Sequence, residues 1–91
     1  MIQSFKHKGL KELFITGHTA KISPAFHKRI LRRLDVLHNA EALKDLNIAG
    51  FNFHSLEGSP LRFTFHVNGP CCLTFEWEDQ LVKLVDFEQY H

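Results

Sequence analysis

Two neighbouring apolar runs place a polar side chain at every second position. Leu61, Phe63, Phe65 and Val67 alternate with Arg62, Thr64 and His66, and Cys71, Leu73, Phe75 and Trp77 alternate with Cys72, Thr74 and Glu76. Successive side chains of a strand point to opposite faces, so each run has one apolar face and one polar face. If Phe53, Phe63, Phe65, Leu73 and Phe75 face a helical layer, then His54, Arg62, His66, Cys72, Thr74 and Glu76 face away from it. Such a face has the chemistry to hold a phosphodiester. Imidazole moves protons near neutral pH, and guanidinium grips phosphate as a fork. Tyr90 and His91, at the end of the chain, could fold over the rim, where Tyr90 could stack on a base or donate its hydroxyl. Taken singly, each has a plainer reading: a polar His in water, a surface Arg, a packing Tyr.

The elements that must position these groups follow in chain order. Ile2 to Phe5 reads as a short first strand. Lys8 to Thr16 has Leu10, Leu13 and Phe14 at helical spacing, with Gly17 as a stop. Ser23-Pro24 offers a capping hydroxyl and a first-turn proline for a helix to about His38. Phe26, Ile30, Leu34 and Leu37 form its apolar stripe, with Lys28, Arg29, Arg32 and Arg33 on the other side. Asn39 could cap a third helix through Leu46. Phe51 to Leu56 reads as a second strand. After the Gly58-Ser59-Pro60 turn come strands three and four, joined at Asn68-Gly69, and a fifth from Leu81 to Asp86. The order implies an α+β fold, an N-terminal helical hairpin packed on one face of a small, mainly antiparallel sheet.

Ninety-one residues, 44% hydrophobic and 23% charged, suit one soluble domain spanning 1–91. No apolar run approaches the roughly 20 residues of a membrane span, and the opening MIQSFKHKGL has no apolar leader core. A cytoplasmic protein with no membrane partner is expected. Adjacent Cys71 and Cys72 would point to opposite faces of a strand, which disfavours a disulfide. The seven histidines are scattered, without His-x-x-x-His or Cys-x-x-Cys spacing, so no metal site is expected. No phosphate loop, nucleophile elbow or paired carboxylates appear, and no cofactor is implied. Charge is segregated. Residues 1–33 carry eight basic groups and one acidic, a net +7, whereas residues 34–91 carry three and nine, a net −6. That asymmetry fits either a face that meets a polyanion or a solvated basic helix.

The opening I-Q-S-F-K-H-K-G-L-K, the Ser23-Pro24 helix with its basic run, Gly50-Phe51 leading into F-N-F-H-S-L-E-G, L-T-F-E at 73–76 and the terminal V-D-F-E-Q-Y-H carry a resemblance. The chain resembles, over its whole length, the HigB-type branch of the RelE/ParE toxins, the plasmid maintenance system killer proteins. The resemblance implies a RelE-like fold and a toxin that enters the ribosome and cleaves mRNA. It also implies a HigA-type helix-turn-helix antitoxin, through which alone the pair would meet operator DNA. Such cleavage is attack of a ribose 2′-OH on the adjacent phosphate. Carried over by position, His54 would assist proton transfer, Arg62 would hold the scissile phosphate and Tyr90 would orient the nucleotide. Lys28, Arg29, Arg32, Arg33 and His91 would meet RNA.

The chain also departs from that pattern. Where the family usually has Asn-Trp-Arg, this sequence has Pro70-Cys71-Cys72; Glu57 replaces a common lysine, and Gln89 an acidic residue. Loss of a preorganised cation at the phosphate costs on the order of 3–4 kcal/mol. One alternative to an active nuclease is therefore a RelE-fold protein that binds antitoxin or ribosome without efficient cleavage; another is a gyrase-directed toxin, as in the ParE branch, against which His54 and Tyr90-His91 argue.

Overall fold

The computed structural model describes residues 1–89. Two helices, α1 (Lys8–Thr16) and α2 (Pro24–Asn39), pack on one face of an antiparallel sheet. Its strands are β1 (His54–Leu56), β2 (Arg62–Asn68), β3 (Cys71–Glu78) and β4 (Leu81–Gln89), in the spatial order of the sequence. This is the α+β arrangement the order of elements predicts.

The core lies between helices and sheet. Leu10 and Leu13 of α1 and Ile30, Leu34 and Leu37 of α2 are fully buried against Phe65, Leu73, Phe75, Val82 and Val85. Phe51, Phe53, Phe63, Phe65 and Phe75 form a continuous ring cluster, with Phe51–Phe65 and Phe65–Phe75 centroids 5.0 and 5.2 Å apart. Edge-to-face contacts of this kind add to simple area burial. The apolar parity of the two strand runs therefore does fix their inner face.

Several local expectations are corrected. The Ile2–Phe5 segment makes only two isolated parallel bridges to β4, Ile2 to Val82 and Phe5 to Val85. Between them Leu84 adopts φ 51° in a bulge and gives its N–H to Ser4 Oγ, which breaks the ladder. Ser23 precedes α2 but makes no side-chain cap bond, so Pro24 alone marks that start. Asn39 closes α2 and bonds back to Asp35; the third helix is only a 3₁₀ turn, Leu43–Leu46. Asp45 Oδ2 accepts from Glu41 and Ala42 N–H there, which ties up the donors a longer helix would leave open. The second strand begins only at His54, because Asn52 at φ 47° turns the chain out of extended geometry. In the β2–β3 hairpin Asn68 pairs with Cys71, so the two turn residues are Gly69-Pro70 rather than Asn68-Gly69.

Candidate active site

The register of the sheet decides which polar groups meet. His54 lies opposite Thr64, Thr64 opposite Thr74, and Thr74 opposite Asp86, forming one row across all four strands. Arg62 and His66 flank Thr64 two residues to either side on β2. Both are therefore diagonal neighbours of His54 on the face turned from the helices, about 7–8 Å away at Cα for such positions. His54 and Arg62 thus start from the same face of the sheet, as parity predicts.

His54 is exposed, and its Nδ1 lies 2.8 Å from the carbonyl oxygen of Asn52. A carbonyl only accepts, so Nδ1 carries the proton, and in the neutral ring Nε2 keeps its lone pair. The left-handed backbone at Asn52 brings that carbonyl within reach. The imidazole is thereby oriented with a basic nitrogen available.

Arg62 is engaged. Its guanidinium donates to Glu76 Oε2 (3.2 Å), Thr74 Oγ1 (2.9 Å) and the carbonyl of Leu84 (3.0 Å). Thr74 in turn donates to Glu88 Oε2 at 2.5 Å. Arg62 therefore leans toward β3 and β4, into a carboxylate-rich network, and away from His54. The idea of an open polar face is also corrected: Thr74 is buried within this network, Thr64 and Cys72 are buried as well, and Thr64 Oγ1 donates to the Leu73 carbonyl.

On the other side of His54 is a cleft of about 170 Å³, bordered by His54, His66, Thr64, Cys72 and the Gly69-Pro70 turn. Cys72 is directly opposite His66. His66 also borders a second, larger groove of about 500 Å³ shared with Lys28, Arg29, Arg32 and Arg33 of α2. Lys28, Arg29 and Arg32 are exposed there.

Arg33 is not on the outer side of α2, where the sequence reading puts it. It is only 7% exposed. Its Nε donates to the His66 carbonyl at 2.6 Å, an Nη donates to the Arg29 carbonyl at 3.0 Å, and the guanidinium lies 4.3 Å from the Phe51 ring centre. Burial, then repulsion from Arg32 and Arg29, lowers its pKa from the usual arginine value. Its role in the structure is to join α2 to β2. Tyr90 and His91 lie outside the described residues. Among the described residues no group of three His, Cys, Asp or Glu could hold a metal ion, and no helix is long and apolar enough to cross a membrane.

The sequence placed His66 on the polar face by parity but gave it no role of its own, and it missed Asn52, which shows itself only through the fold. The family comparison bears on what the site is for. Residues 3–91 match the family of RelE-like toxins of type II toxin-antitoxin system HigB. The chain belongs to this toxin family. It is also 33% identical, over the full length of both chains, to the endoribonuclease HigB of Proteus vulgaris. For a HigB-type toxin an antitoxin partner follows from the family itself. Two helices on a four-stranded antiparallel sheet are the RelE-like fold expected of its members.

Proposed function

We propose that this chain is the toxin of a type II pair and cleaves mRNA on the ribosome, in the cytoplasm. A HigA-type helix-turn-helix antitoxin would neutralise it and carry it to operator DNA. The observation that carries this reading is His54: an exposed imidazole, oriented through Nδ1 by Asn52, on a sheet face that opens into a cleft. The full-length likeness to an endoribonuclease supports it.

In the proposed reaction Nε2 of His54 takes the 2′-OH proton as O2′ attacks phosphorus. Arg62 stabilises the charge that develops on the phosphoryl oxygens. A phosphate must compete with Glu76 for that guanidinium, since the two already form an ion pair. Lys28, Arg29 and Arg32 meet the flanking backbone, and the family resemblance implies that Tyr90 stacks on or orients the nucleotide and that His91 meets RNA.

A second reading, antitoxin binding with weak cleavage, is favoured by two observations. Cys72 borders the cleft where the family pattern has arginine, and Arg62 is held among Glu76, Thr74 and the Leu84 carbonyl. One experiment separates the two. In a purified translating system with a defined mRNA, wild type should cut and His54→Ala should cut about 10²–10⁴-fold more slowly. An inert wild type that Cys72→Arg converts into a nuclease would establish the second reading instead.

A further inference from the structure

The proposed reaction needs two proton transfers, and His54 accounts for one. O2′ must lose a proton as it attacks, and O5′ must gain one as it leaves. We propose that His66 is the second group, the general acid that protonates the leaving O5′ oxygen. The proposal rests on the nuclease reading above and deepens it.

Four observations converge on His66. It is exposed and sits diagonal to His54 on the same sheet face, so the two imidazoles border one cleft. Its ring makes no hydrogen bond among the described residues, whereas Arg62, the other diagonal neighbour of His54, has three. Its backbone is held at both ends: its N–H donates to the Phe51 carbonyl at 2.7 Å, and its carbonyl accepts from Arg33 at 2.6 Å. A side chain on so fixed a backbone keeps its place while its ring stays open to substrate. Finally, His66 borders the basic groove as well as the cleft. A strand whose phosphates follow Lys28, Arg29 and Arg32 would pass His66 on its way to His54.

The charges around it are mixed. Cys72 stands opposite on β3, with Glu88 opposite Cys72 on β4, and the charges facing His66 from α2 are cationic. The step balances as follows. The O2′–H proton goes to His54 Nε2 and the O2′–P bond forms. The P–O5′ bond breaks, and the imidazolium of His66 gives its proton to O5′. The products are a 2′,3′-cyclic phosphate and a 5′-hydroxyl end, with one proton exchanged between the two histidines.

The test compares wild type, His66→Gln and His54→Ala on two synthetic mRNAs in the translating system, one normal and one with sulfur replacing the bridging 5′ oxygen at the cut site. Sulfur leaves without needing an acid. His66→Gln should be slower on the normal mRNA by about 10²–10⁴-fold, the range of general acid catalysis. It should recover nearly wild-type rate on the sulfur substrate. His54→Ala should stay slow on both. A merely structural His66 would slow both substrates equally, and that result overturns the proposal. Unchanged cleavage of normal mRNA by His66→Gln overturns it as well, while leaving the nuclease reading intact. A wild type that cuts neither mRNA removes both.

Discussion

Single side chains divide sharply between buried support and solvent exposure along α2. Lys28, Arg29, Arg32 and Arg33 form one basic run in sequence, yet Arg33 is buried with its guanidinium on two backbone carbonyls and the Phe51 ring. Its position three residues after Ile30 and four before Leu37 places it on the buried stripe, with a stem long enough to bring the guanidinium to those partners. Arg33→Ala leaves the His66 carbonyl without its donor and should cost about 2–3 kcal/mol in urea unfolding. Arg32→Ala should change stability by no more than about 0.5 kcal/mol. It should instead weaken RNA binding and reduce its salt dependence by close to one counterion. Equal losses of stability for the two variants would contradict this division.

Elements are punctuated by residues with left-handed backbone. Gly17 ends α1 in that conformation, its N–H returning to the Leu13 carbonyl. The β3–β4 turn uses Asp79 and Gln80 at φ 50° and 67°, the twist-matched geometry of a two-residue hairpin, without any glycine. A side chain at such a φ costs about 1–2 kcal/mol, part of which is offset because glycine is more flexible when unfolded. Gln80→Gly should therefore raise stability by about 0.5 kcal/mol, read as a rise of a few degrees in Tm. A lower Tm would mean that Gln80 is not strained in the folded hairpin. Leu84 differs: its positive φ belongs to the bulge whose carbonyl holds Arg62 and whose N–H meets Ser4.

At the scale of the molecule, charge and fold run together. The N-terminal third, net +7, supplies the helical layer, and the acidic remainder supplies most of the sheet. Two carboxylates far from the site tie the fold to pH. The backbone N–H groups of Ala42 and then Glu41 lower the pKa of Asp45 from 3.8, and the Thr19 hydroxyl and then Lys21 lower that of Glu12 from 4.5. Groups depressed in the folded state contribute stability that is full above their ordinary values and is lost as pH falls through their folded values. The urea midpoint should therefore hold from neutral pH down to about 4.5 as far as these two groups are concerned, then fall below that. Asp45→Asn should soften the decline; an unchanged acid limb in that variant would remove Asp45 from the account.

By itself the sequence determined what depends on near neighbours. Period-two alternation settled the inner face of β2 and β3, helical spacing settled α1 and α2, and the quoted motifs pointed to the toxin family. Those signals are local, and each repeats several times along an element. Only the tertiary structure decided that Arg62 turns to Glu76, that Arg33 is buried, that Thr74 is covered and that His66 stands beside His54. These depend on which residues of distant strands fall opposite one another and on where a long side chain finds its hydrogen-bond partners. Neither is set by spacing within one strand.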